Sequence, residues 1–317
     1  MNLIIKKTSD IRDNDLLNCL KLWNDEMGYV YPISSNSFYQ NVIDYKDKDV
    51  MIYYDDERVI GFIFLKRFSD DRLVNYSNNL YISLFYVSKK YRRQGIGSNL
   101  FDFAEEIRDG KELIIGKDIN NFFPGVPTDF DNLTDVWLEK RGFVGKRYTH
   151  DLITKDPKIY EIRNKDVEYK YCDDSQKEEL IQMMINNNWG RWALEAKEYF
   201  GKKTENDKNA YIVGMIDGKI ISFAKVNDYK MYLSSYNLMW KERFENLGGF
   251  GPLGVDRNYR KKGIGFDMIS VGLNDLVNKG CKTIILDWTG LMELYAKFNF
   301  EVWKSYKYMS KSFLKID

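Results

Sequence analysis

A pattern occurs twice in the 317-residue chain, as YVSKKYRRQGIG at residues 86–97 and GVDRNYRKKGIG at 254–265. Val87 matches Val255, Tyr91 matches Tyr259, Arg92 matches Arg260, and Gly95 and Gly97 match Gly263 and Gly265, every pair 168 positions apart. A repeat at half the chain length implies two domains of one architecture, and the length itself suits two domains better than one. The division is expected at 1–156 and 157–317, near Lys155 to Lys158, where Pro157 follows the last strand-like stretch of the first copy.

The flanks of the two copies agree. LYISLFYV before the first copy alternates and is rich in strand formers, while Ile96, Leu100, Phe103, Ala104 and Ile107 after it follow helical spacing. Ile264, Met268, Ile269, Leu273 and Leu276 draw the same stripe in the second copy, and Gly110 and Gly280 suit left-handed caps. Further strands follow in ELIIGKDI and TIILDW. WLEKRGF (137–143) then answers LYAKFNF (294–300) at an offset of 157, so the first copy carries 11 extra residues, placed in the loop-like NNFFPGVPTDF. Upstream, MIYYDDERVIGFIFL and YIVGMIDGKIISFAKV read as hairpins, each preceded by a helical region at roughly 11–43 and 173–201.

A strand, a glycine-rich turn and a helix make an anion site. The first N–H groups of a helix lack intrahelical partners and carry partial positive charge, and glycine lets a phosphate approach them. Arg92, Arg93 and Gln94 in one turn, and Arg260, Lys261 and Lys262 in the other, place cations where the helix dipole disfavours them, a conflict that an anionic ligand resolves. No G-x-x-x-x-G-K-[ST] is present, and GFGPLG continues as a strand instead of opening a helix, so neither a P-loop nor a dinucleotide fold is indicated.

Composition narrows the partners. Lys and Arg number 48 against 47 Asp and Glu, giving no global attraction to nucleic acid or to an anionic membrane. The start, MNLIIKKTSD, and the lack of long apolar runs argue against a signal peptide or a membrane span, making the cytoplasm the default location. Cys19, Cys172 and Cys281 are spaced for neither disulfides nor a thiolate zinc site and read as buried free thiols, and His150 is the single histidine, so no metal is expected.

YRRQGIG and YRKKGIG, each between strand and helix, resemble motif A of the GNAT N-acetyltransferase superfamily, and LYAKFNF resembles its motif B. The resemblance implies an α+β fold, a mixed α/β sandwich: two tandem acyl-CoA N-acyltransferase folds, each a mixed, largely antiparallel sheet flanked by helices. It implies that motif A binds the pyrophosphate of acetyl-CoA or another acyl-CoA, and that the preceding strand splays from its neighbour and contacts pantetheine and thioester. In this chain the residues concerned are Leu84, Phe85, Tyr86, Val87, Arg92, Arg93, Gln94, Gly95, Ile96, Gly97 and Ser98 in the first half. In the second they are Leu253, Gly254, Val255, Arg260, Lys261, Lys262, Gly263, Ile264, Gly265 and Phe266.

A motif B tyrosine in this family often protonates the departing thiolate, and Tyr295 holds that position. Leu138 stands at the matching place in the first half and cannot donate a proton, so catalysis is expected in the second. Asp287, at the end of the strand after the motif A helix, is a conceivable base but reads more naturally as a solvated or capping residue. The activity implied is acyl transfer from acetyl-CoA to a primary amine of a small molecule or peptide. The alternative is a non-catalytic acyl-CoA sensor or interaction protein. Acceptor, acyl-chain preference and oligomeric state are not readable.

Overall fold

The computed structural model describes residues 3–68, 74–130, 133–203, 209–233 and 235–313. In chain order the first half forms β1 (Leu3–Lys7), α1 (Asp13–Met27), α2 (Ser35–Phe38), β2 (Lys48–Asp55), β3 (Arg58–Lys66), α3 (Val74–Ser77), β4 (Asn79–Val87), α4 (Ile96–Ile107), β5 (Glu112–Ile115), β6 (Val126–Pro127), α5 (Thr134–Lys140) and β7 (Val144–Thr154). The second forms β8 (Glu168–Tyr171), α6 (Lys177–Asn186), α7 (Gly190–Lys202), β9 (Tyr211–Ile216), β10 (Lys219–Asn227), β11 (Leu247–Val255), α8 (Ile264–Asn278), β12 (Thr283–Thr289), α9 (Met292–Ala296) and β13 (Glu301–Lys311). None of the described helices is long and apolar enough to cross a membrane.

Two compact units result, 1–149 with 304–317 and 150–303. They do not follow a single cut at 156/157. The chain passes into the second unit within β7, and the last strand returns to complete the first. Strand exchange of this kind leaves no composition signal, because the returning strand has the same alternating pattern as any other.

In the first unit the sheet order is β1-β2-β3-β4-β5-β13, antiparallel except for the parallel pair β4/β5. The short β6, inside the segment expected to be loop, pairs with β13. The β2/β3 turn holds Asp56 at φ 53. Because side chains alternate along a strand, β3 serves two cores. Ile63 and Leu65 join the α4 core with Leu100, Phe101 and Ala104, while Phe64 between them meets Phe38 on the α1/α2 side.

In the second unit the order is β7-β12-β11-β10-β9-β8, again antiparallel except for β11/β12. Asp217 and Gly218 both take positive φ in the β9/β10 turn, as an Asp-Gly hairpin requires. One sheet face packs on α8 through Val226, Phe250, Met268 and Leu273, and the other on α6 and α7 through Val213, Phe223, Met184 and Ala196. Each unit is therefore a mixed sheet between helical layers, the α+β sandwich expected. Gly110 and Gly280, after α4 and α8, sit at φ 74 and 86, and all three cysteines are free and buried.

Candidate active sites at two strand splays

Parallel pairing of β4 with β5 runs from Asn79↔Glu112 to Ile82↔Ile115 and stops, although β4 continues to Val87. Likewise β11 pairs with β12 from Leu247↔Thr283 to Phe250↔Leu286 and then continues alone on that side to Val255. The splay implied for each copy is thus present. A register shift marks each departure, at Ser83 in β4 and at Gly251–Pro252 in β11, the β-bulge suggested by glycine and proline in that strand.

Both splayed strands enter the same turn. Arg93 and Lys261 take φ 60 and 61, and Gly95 and Gly263 take φ 84 and 79 before α4 and α8 begin. Alternating left-handed residues direct successive N–H groups to one side, an anion-binding concavity at a helix N-terminus. The first helical bonds shown are Asn99 N to Gly95 O at 3.0 Å, and Phe266 N and Asp267 N to Gly263 O at 3.0 and 3.2 Å. That leaves the amides of Ile96, Gly97 and Ser98, and of Ile264 and Gly265, at the free end. Arg92 and Arg260 each donate from Nε to the last strand carbonyl, Val87 O or Val255 O, at 3.0 Å.

A helix side chain fixes each turn. Glu26 of α1 accepts the Lys89 amide at 3.0 Å, the Ser88 hydroxyl at 2.6 Å and the Tyr86 hydroxyl at 3.0 Å. Burial opposes its charge, but these hydrogen bonds hold its carboxyl below the ordinary range. Asn187 accepts the matching Arg257 amide at 3.0 Å.

The glycines next to the free amides are not demanded by the protein's own packing. A Cβ built on Gly97 would find its nearest neighbours, on Trp137 and Val87, at 3.8 Å, and one on Gly265 would meet only Val255 at 3.7 Å. Both are ordinary contacts. Space at these positions is therefore left for something other than the protein, which fits a pyrophosphate seated on the helix end.

A cavity of about 520 Å³ opens in the first unit between the β4 splay, the turn and α5. Ser83 to Val87, Arg92, Arg93, Gly95, Gly97 and Ser98 line it, with Trp23, Phe123, Phe130 and Trp137. It thus gathers most of the first-half residues expected at a cofactor site. Gln94 stays outside, its amide bonded to Lys90 O at 3.3 Å, and Ile96 turns its side chain into the α4 core. In the second unit Ile264 is likewise a core residue. The Phe266 ring lies on Phe298 at 4.5 Å, under the Arg163 guanidinium, so this side chain is turned away from the turn.

The two units differ most where chemistry would occur. Ile82 and Phe250 are equivalent by the repeat and pair with Ile115 and Leu286, so the next residues, Gly116 and Asp287, are also equivalent. Gly116 has φ 66, and a Cβ there would lie 2.1 Å from the carbonyl oxygen of Phe123, so no side chain fits. Leu138, opposite Tyr295 in the repeat, is fully buried in the α4 core. The nearby carboxylate of Asp118 is already bound, at 2.8 Å to buried Lys66 and 2.7 Å to the Ser83 hydroxyl.

Asp287 behaves differently. Between Leu286↔Leu152 and Thr289↔His150 the β12 register slips, so Asp287 and Trp288 together face Asp151 of β7. Trp288 has φ 45, a rare conformation for a bulky residue, and donates its amide to Asp151 at 3.1 Å. The bulge turns the Asp287 carboxylate onto β11, where only a glycine, Gly251 at φ 117, leaves room. Among the described residues no hydrogen bond or ion pair reaches that carboxylate. Burial, reinforced by the charges of Asp151 and Glu195 and opposed by Arg191 and Lys225, pushes it up to about 7. It lies within β12 and caps no helix, and it is half-buried where the sequence reading expected a solvated or capping residue.

Around it lie further charges that sequence patterns did not single out. Glu195 and Arg191 of α7 pair at 2.7 Å, and the Arg191 guanidinium lies 4.1 Å from the centre of the Trp288 ring. Asp151 also accepts the Tyr236 hydroxyl. Lys225 of β10 is 7% exposed, its ammonium between the Tyr199 and Tyr211 rings. Tyr295 of α9 is buried against Phe300, and burial, then the charge of Asp287, raises its phenol above the ordinary value.

These duplicated splays and phosphate-ready turns define an acyl-CoA-dependent transferase fold. The chain belongs to the acetyltransferase (GNAT) family, whose sequence profile matches residues 16–115 and 158–300. Among solved structures it is similar to the GCN5-related glucosamine N-acetyltransferase region of a fungal multidomain GH3 β-N-acetylglucosaminidase, at 22% identity and TM-score 0.84. That match covers 98% of this chain but only 38% of the fungal one. A tandem GNAT protein from the clavulanic acid biosynthesis pathway matches over 100% of both chains, at 13% identity and TM-score 0.70. A GCN5-related N-acetyltransferase from Sphaerobacter thermophilus matches over 98% of this chain and 95% of its own, at 12% identity and TM-score 0.66. No curated protein sequence matches the chain.

Proposed function

We propose that the protein transfers an acetyl group from acetyl-CoA to a primary amine, with the chemistry in the second unit. The observation that carries this reading is the unpaired carboxylate of Asp287 at the β11/β12 splay, whose charge also raises the Tyr295 phenol. Acetyl-CoA supplies an activated acyl group as its thioester.

The protein's part divides among its own residues. Ile264 and Gly265 offer free amides, and Arg260, Lys261 and Lys262 offer charge, to the pyrophosphate. Past Phe250, β11 has no β12 partner, so the N–H groups facing the gap are available to the thioester carbonyl. Asp287, ionised above about pH 7, takes the proton of the acceptor ammonium and frees the nucleophilic amine. The Tyr295 hydroxyl, which makes no hydrogen bond among the described residues, delivers a proton to the departing thiolate. The acceptor class includes amino sugars, the acceptor named for the fungal relative.

For the first unit a second reading is favoured. Gly116 and Leu138 stand where the second unit has Asp287 and Tyr295, while the cavity and turn are retained, so this unit binds acyl-CoA without turning it over.

Thiol release from acetyl-CoA across an amine panel tests the proposal. Turnover with at least one amine that is lost in Asp287→Asn supports it. Acetyl-CoA binding without thiol release on any amine would establish a sensor instead.

A further inference from the structure

The bulges of β11 and β12 each face one charged residue. Gly251–Pro252 lies opposite Lys225 of β10, and Asp287–Trp288 lies opposite Asp151 of β7. Gly251 is also where the Asp287 carboxylate rests, so the Lys225 backbone and the Asp287 carboxylate flank the same point of β11.

Lys225 is more than nine-tenths buried, and its ammonium has no hydrogen bond or ion pair among the described residues. An ammonium carries three donors and no acceptor, and the Lys225 nitrogen, unlike that of Lys66, is not sealed off, so a ligand oxygen can reach it. The carboxylates nearby are already engaged. Glu195 is held by Arg191 at 2.7 Å, Asp151 by the Trp288 amide and the Tyr236 hydroxyl, and Asp287 is needed by the amine. The Lys225 donors are thus left for an oxygen that the protein does not supply.

Charge limits what that oxygen belongs to. Asp151, Glu195, Asp287 and Glu198 oppose Arg191, Lys225 and Lys202, the last paired with Glu198 at 3.6 Å, leaving one carboxylate in excess, which a single ammonium balances. An amino acid would bring back a negative charge beside Asp287, and a polyamine would add surplus positive charge beside Lys225 and Arg191. Either mismatch is costly where water is excluded.

We propose that the acceptor is a singly charged, polyhydroxylated primary amine, such as an amino sugar or aminocyclitol, and that Lys225 selects it by donating to one of its hydroxyl or ring oxygens. This rests on the second unit being the acceptor site. Lys225 is a specificity residue and takes no part in bond making or breaking.

The test is calorimetric binding of D-glucosamine, cyclohexylamine, L-serine and spermidine to the full chain in the presence of CoA, with thiol release from acetyl-CoA measured separately. Glucosamine should bind the wild type about tenfold tighter than any of the others, the value of one charge-assisted hydrogen bond. Lys225→Met should erase the preference over cyclohexylamine, raising KM for glucosamine far more than it lowers kcat, and Lys225→Gln, which keeps a donor, should restore part of it. Equal binding of cyclohexylamine, preference for L-serine or spermidine, binding of none of the four, or unchanged selectivity in Lys225→Met would each overturn the inference. Selective glucosamine binding without thiol release would leave it standing while removing the transferase reading.

Discussion

A Cβ built on Gly251 would lie 2.2 Å from Oδ1 of Asp287, so the glycine of one strand and the carboxylate of the next share a single space. Gly251→Ala should therefore displace Asp287 and also strain a backbone at φ 117. Transferase activity should fall in this variant while acetyl-CoA binding persists, which stopped-flow thiol assays beside calorimetry will separate.

The pH dependence follows from the same carboxylate. As base Asp287 acts only when ionised, so kcat/KM should rise with pH through about 7. Asp287→Asn should lower kcat by about 10²- to 10⁴-fold and remove that limb. A retained limb would assign it to another group.

Stability should respond in the opposite direction. The native carboxyl keeps its proton up to about 7, whereas the unfolded chain releases it near its ordinary 3.8. Between these values the native state binds more protons, so this group's contribution to stability declines as pH rises. Asp287→Asn should melt above the wild type at pH 8 and lose that advantage at pH 4, measured by differential scanning calorimetry.

Gly97→Ala and Gly265→Ala separate fold from ligand. Each Cβ has room in the protein, and alanine is favoured over glycine in a helix by about 1 kcal/mol, so neither variant should melt below the wild type. Each should lose acetyl-CoA binding in its own unit, so that titration counts one site fewer. Unaltered stoichiometry in Gly97→Ala would mean that the cavity of the first unit is not a CoA site.

Tyr295→Phe keeps the ring that packs on Phe300 and removes only a hydroxyl without a hydrogen-bond partner among the described residues. The melting temperature and the acetyl-CoA affinity should hold while kcat falls. Unchanged turnover would leave the phenol as packing alone.

Lys66 and Asp118 form a 2.8 Å pair that is almost fully buried. Asp118→Asn strands the ammonium and should cost about 3–5 kcal/mol in denaturant unfolding, whereas Lys66→Met with Asp118→Leu should recover most of it. A single variant that costs nothing would mean the pair is not desolvated in solution.

The turns at Arg92–Gly97 and Arg260–Gly265 were legible because their cause is local. A left-handed glycine and a run of apolar helical spacing act over a few residues, and the repeat doubled the signal. Leu138 could be matched to Tyr295 for the same reason, since both sit in copies of one short helix. Asp287 was legible only as a candidate at a strand end. The role proposed for it depends on a bulge set by pairing with Asp151, over a hundred residues earlier, and on clearance at Gly251, neither of which a single aspartate announces. Lys225, Glu195 and Arg191 were hidden likewise, because only the fold gathers three distant segments. The return of 304–311 to the first unit escaped notice because strand pattern records which side chains face inward and says nothing of which sheet receives them.

That returning strand also sets an order on synthesis. β13 pairs with β5 through Ser310↔Ile114 and Lys311↔Leu113, and with β6 through Tyr306↔Pro127. During translation the first unit is left one strand short, with Ile114 and Val126 lacking their neighbours, until residues 304–311 have followed the whole second unit out of the ribosome. The first unit is therefore completed only after the second has been made, and a nascent chain stalled before residue 304 exposes an unpaired sheet edge at β5.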